Sequence, residues 1–151
     1  MKKIFGLLLV FSAFISACDN KDEEDLLCMT PPSPFYFEVV DKTSGENLFE
    51  KGTFKFSMVD IINSETNERV SRRKYHLADN NLLLFTAPGW NTEKVNFSFK
   101  VGDKKIFDLY VDSSVLNENG CTFTRYNEVK ITNANYKKVS EGWDHHKILI
   151  D

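Results

Sequence analysis

Three imidazoles, two indoles and one basic cluster are the side chains with chemical potential. His76, His145 and His146 are the only histidines. Neighbours in an extended segment point to opposite sides, so His145 and His146 are poorly placed to share one metal ion. Trp143-Asp144-His145-His146 could join a site only with distant ligands; otherwise it is a polar loop before a last strand. HExxH, a calcium loop, GxSxG, a Walker loop and GxGxxG are all absent. The carboxylates fall mostly in turn-like stretches, which favours solvation over a catalytic pair. No enzymatic activity, metal or cofactor is expected.

Binding fits these residues better. Trp90 lies in Pro88-Gly89-Trp90-Asn91 and Trp143 in Glu141-Gly142-Trp143-Asp144. An exposed indole beside polar groups can stack on a sugar ring or on a partner's apolar group. Folded back, each would merely cap the core. Arg69-Val70-Ser71-Arg72-Arg73-Lys74 is basic in a chain of net charge −3. Arg72 and Arg73 could meet an anionic glycan, lipid head groups or an acidic partner. They could equally guard a solvated strand edge. An acidic balance, with pI near 5.6, argues against a dedicated nucleic-acid binder.

The N-terminus reads as an address. Lys2 and Lys3 precede Ile4 to Ala17, a run broken only by Gly6, Ser12 and Ser16. That is too short to span a membrane and has the layout of a secretory signal peptide. Ile15-Ser16-Ala17-Cys18 resembles the lipobox of bacterial lipoproteins. The resemblance implies cleavage before Cys18, its acylation, and a lipid anchor in the membrane. Asp19 to Asp25 then holds five acids in seven residues, an extended and solvated tether. An acidic cluster just after the acylated Cys resembles the surface-export signal of lipoproteins in Bacteroidota-type bacteria. Asp19 itself resembles the inner-membrane retention signal of enteric bacteria, which points the other way.

With Cys18 acylated, as that resemblance implies, Cys28 and Cys121 remain as a pair in an oxidising compartment. A disulfide between them is expected. Their long separation lacks metal-finger spacing.

The elements that must hold these residues read as strands. Phe35, Phe37 and Val39 alternate with Tyr36, Glu38 and Val40. Phe54, Phe56 and Met58 alternate with Thr53, Lys55 and Ser57, which predicts a strand there. Leu82 to Phe85 is a short apolar run closed by Ala87-Pro88-Gly89. Lys94–Val101 and Lys104–Asp112 should form a hairpin about Gly102-Asp103. Phe123, Val129 and Ile131 mark a long strand, and Ile148 to Ile150 a short one. No window shows a convincing amphipathic helix.

The 151 residues therefore divide into a cleaved signal peptide over 1–17, a tether over 18–34, and one domain over 35–151. Expected for the domain is an all-β, two-sheet antiparallel sandwich, immunoglobulin-like or transthyretin-like. An eight-stranded barrel of the lipocalin type is the alternative. The expected role is a non-enzymatic, lipid-anchored binding or adhesion module on the outer membrane surface, contacting a glycan or protein. A periplasm-facing accessory or assembly lipoprotein is the second reading.

Overall fold

The structure, a computed structural model, describes residues 28–139 and 144–151. The signal peptide, Cys18, most of the acidic tether and Trp143 lie outside the described residues.

Ten strands make up the described chain: β1 (Cys28–Met29), β2 (Phe35–Asp41), β3 (Val59–Asn63), β4 (Tyr75–Ala78), β5 (Leu82–Phe85), β6 (Glu93–Val101), β7 (Lys104–Glu118), β8 (Cys121–Thr132), β9 (Asn135–Lys138) and β10 (His145–Ile150). They form two five-stranded sheets, ordered β1-β8-β7-β6-β3 and β4-β5-β2-β10-β9. The domain is all-β, and one sheet curls into a half-barrel.

Phenylalanine joins the sheets. Phe37 of β2 lies 5.2 Å from Phe99 of β6 and 4.8 Å from Phe107 of β7, between ring centroids. Phe85 of β5 meets Phe97 and Phe99 edge-on at 4.9 and 5.1 Å. Edge-to-face pairs suit the ring quadrupole and add to burial. All five rings are at most 5% exposed, so the period-2 pattern of the strands does face one core.

The predicted β6–β7 hairpin is present, with Val101 opposite Lys104. β7 is longer than its pattern implied, at 15 residues. Beyond Ser113, which faces Glu93, it leaves β6 behind and pairs with β8 alone. Asn119 and Gly120 close that arm with φ of 54° and 78°. Asn-Gly with both residues at positive φ is the favoured two-residue hairpin turn. Cys28 faces Cys121 at the arm's tip, with Cα atoms 4.4 Å apart, and the disulfide joins them. The folded body thus includes β1, upstream of Phe35.

Two expectations fail. Thr53 to Met58 is not a strand; Phe56–Met58 is a 3-10 turn, and the strand is Val59–Asn63. The alternating aromatics belong to a loop that folds onto the core. Phe54 packs on Phe49, and Phe56 on Tyr75. The sheets are also not wholly antiparallel. β10 runs parallel to β2, from His145 beside Tyr36 to Ile150 beside Asp41, and β1 runs parallel to β8.

Candidate functional site

The β5–β6 loop presents Trp90 at the end of the sheets where β2, β4 and β10 begin. The residue is 47% exposed. The ring is nevertheless fixed, because Nε1 donates to the Thr86 carbonyl at 3.0 Å. Neighbouring groups hold the loop from several strands. The Gly89 amide donates to Glu93 Oε1 at 3.0 Å, and Ser113 Oγ donates to the Asn91 carbonyl at 3.0 Å. Thr124 Oγ1 donates to the Gly89 carbonyl, and the Val115 amide donates to Thr92 Oγ1.

Gly89 is required here. Its φ is +92°, and a Cβ would come within 2.8 Å of Tyr126 Oη and 3.0 Å of Pro32 Cβ. Tyr126 seals this corner. Its Oη donates to the Ser33 carbonyl at 2.9 Å, and its ring lies 5.1 Å from that of Phe35. Burial pushes its phenol well above the usual tyrosine range, helped by the negative charges of Asp144 and Glu93, so it stays protonated.

Ala87 and Glu93, on either side of the Trp90 loop, also line a cleft of about 270 Å³. Its polar wall comes from Asn63, Glu68, Arg69, Ser71 and Lys74. The Thr86 amide and Oγ1 both donate to the Lys74 carbonyl, at 2.8 and 3.0 Å, and so tie the basic loop to the Trp90 loop.

The basic residues divide by role. Arg72 serves the fold. It donates to the carbonyls of Phe56 and Ser57 at 3.1 and 2.8 Å, and its guanidinium lies over the Phe56 and Tyr75 rings. Arg73 is exposed in the same 3-10 turn, Arg72–Lys74. Arg69 pairs with Asp60 at 3.1 Å. The Arg72 guanidinium sits against the chain just before Val59, which pairs with Val101 at the end of β6 away from the Trp90 loop, so Arg72 is not drawn to Trp90.

The histidines part company. His76 is exposed on β4. His145 is half-buried, its ring 6.4 Å from Tyr36. His146 is 6% exposed, between Phe37 and Tyr136. Neither of its ring nitrogens has a hydrogen-bond partner among the described residues. Burial pushes its pKa down; nearby Lys138 and His145 push the same way, against Asp144. Among the described residues, no group of three or more His, Cys, Asp or Glu could hold a metal ion. No described helix is long and apolar enough to cross a membrane.

A second cavity, of about 490 Å³, opens at the opposite end beside Lys104, Asn133 and Leu149. Its charges are largely matched: Lys105 pairs with Asp108 at 2.6 Å, and Lys42 with Asp151 at 2.8 Å.

Arg69 and Lys74 of the first cleft belong to the basic cluster that the sequence marks, whereas Asn63, Glu68 and Glu93 carry no such mark. In sequence those three resemble ordinary turn residues, and it takes the pairing of β3 with β6, the Ile62–Arg69 bridge and the Thr86–Lys74 bonds to bring the lining together. Compared with protein-family models, curated proteins and solved structures, the chain matches none.

Proposed function

We propose that this is a lipid-anchored protein of the bacterial cell envelope, whose β-domain binds a glycan or protein outside the cell without catalysing a reaction. The observation that carries the reading is Trp90. A half-exposed Trp, fixed through its own indole N–H in a loop whose ends Ala87 and Glu93 line a cleft, is preorganised for contact rather than buried as a core cap. The Cys28–Cys121 disulfide supports an oxidising compartment. It leaves Cys18 over for acylation, in line with the lipobox resemblance. We read the domain as an open sandwich of the immunoglobulin or transthyretin kind, because the two sheets share no strand pairing among the described residues.

Protease shaving of intact native cells tests the topology, with a periplasmic protein as control. Digestion of the domain while the control survives is expected. Protection until the outer membrane is broken would move the protein to the periplasmic side and end the adhesion reading. Cys18→Ala should abolish lipid labelling, and labelling that persists would refute the anchor.

A further inference from the structure

β9 is lightly held. It is the edge of its sheet, with β10 as its neighbour there. Asn135, Tyr136, Lys137 and Lys138 are all exposed, so β9 buries no side chain of its own. A strand with so little buried surface opens at a small cost compared with unfolding of the core.

The group beneath it is costly to bury. His146, 6% exposed, has Phe37 on one side, with ring centroids 6.0 Å apart, and Tyr136 of β9 on the other, at 5.8 Å. A neutral imidazole carries one N–H donor and one acceptor. Neither nitrogen has a partner among the described residues. An unpaired buried polar group costs free energy, and an unpaired buried charge costs far more.

The two walls of the ring differ. Phe37 is fully buried in β2, an inner strand between β5 and β10, and packs on Phe99 and Phe107 of the other sheet. Tyr136 is 44% exposed on the edge strand. The wall that can yield is therefore β9. Lys138 stands directly across from His146 on the same face of the sheet. Lys138 and the adjacent His145 oppose a positive charge on the ring, and Asp144 favours one. Glu38 of β2 lies on the opposite face, where it pairs with Lys147 at 3.0 Å beside Lys137.

We infer that His146 is an acid-released latch: its neutral ring holds β9 in place, and its protonated ring lifts β9 away and bares the edge of β10 from His145 to Leu149. The latch is separate from the Trp90 loop, so it stands or falls independently of the binding function. With β9 open, the ring meets water and takes its proton near the ordinary 6.5; with β9 closed, it stays neutral. Above that pH the latch is shut. Below it the open fraction should rise by up to about tenfold per pH unit.

Amide exchange of the full-length chain tests it, followed by NMR at pH 7.5, 6 and 5 and corrected for the intrinsic pH dependence of exchange. Protection of the amides that join β9 to β10 should fall about tenfold or more from pH 7.5 to 5. The Val139 amide, which donates to the His145 carbonyl, is to be followed with them. At each pH this protection should remain well below that of Phe97 and Leu109, paired in the core. His146→Leu and His146→Phe should keep β9 protected throughout.

Protection that does not fall in acid would overturn the latch, as would an equal fall in either folded variant. Protection that matches Phe97 and Leu109 at every pH would show that β9 opens only with the whole domain, which also overturns it. Should neither variant fold, the wild-type ring decides. A His146 imidazole that takes its proton while β9 keeps its protection sinks the inference; one that takes it only as β9 opens supports it.

Discussion

Trp90 and Lys74 are held by the same residue: Thr86 accepts the indole N–H through its carbonyl and donates its amide and hydroxyl to the Lys74 carbonyl. Sixteen positions apart in sequence, the Trp90 ring and the Lys74 backbone are tied through one residue. The Thr86 side chain contributes one bond of the three. Thr86→Val should therefore loosen the basic loop without freeing the indole. Amide exchange at Tyr75 and Arg73 should rise, while Trp90 fluorescence stays unchanged. A red-shifted Trp90 emission would show that the two are not separately held.

Gly89→Ala should be costly out of proportion to one methyl group. The new Cβ would press on Tyr126 and Pro32 at a positive φ. A loss of about 1–3 kcal/mol is expected in urea unfolding, along with altered Trp90 fluorescence. A wild-type midpoint would mean that the loop relaxes freely.

Arg72→Lys keeps the charge but loses the two-carbonyl clasp and the flat stack on Phe56 and Tyr75. It should lower stability by roughly 1 kcal/mol and leave ligand affinity nearly unchanged. The opposite pattern, with full stability and lost binding, would move Arg72 into the site.

His146 makes stability depend on acid. Its folded pKa lies below the ordinary 6.5 because burial disfavours the charged ring. Above 6.5 both folded and unfolded chains hold it neutral. As pH falls below 6.5 the unfolded chain takes up the proton first, so stability is lost on the acid side. The slope is at most about 1.4 kcal/mol per pH unit, until the folded pKa is reached. Chemical denaturation at pH 7.5, 6 and 5 should show the decline, and His146→Leu should flatten that part of it. An equal decline in His146→Leu would assign it to other groups.

Reduction of Cys28–Cys121, or its replacement by serines, should cost about 2–5 kcal/mol. Non-reducing mass spectrometry followed by melting with and without reductant checks both the bond and its effect. Because the bridge sits at the arm's tip, the arm and β1 should lose amide protection before the Phe core does.

Much of the fold was legible in the chain. Strands with one buried face declared themselves by alternation, as Val95, Phe97 and Phe99 do in β6, because burial demands period 2. Phe54 and Phe56 misled by the same signal, since a loop can bury alternate rings without a ladder. β9 was illegible: Asn135, Tyr136, Lys137 and Lys138 are all exposed, so no face is selected for apolarity. The β7–β8 turn carries its own local signal in Asn119-Gly120, a pair suited to two positive φ values. Which strand pairs with which is a matter of topology, so the parallel match of β10 with β2 left no local trace. For the site, Trp90 stood out by type, whereas Arg72 looked like a free cation until its carbonyl partners came into view.

The place of β10 has a consequence for how the chain is made. It lies inside its sheet, between β2 and β9, and begins more than a hundred positions after β2 starts. That sheet cannot assemble while residues 145–150 are still unsynthesised, so the nascent chain stays without its finished core until then. Here strand order alone delays folding, and the two sheets can be completed only once the last strand is free of the ribosome.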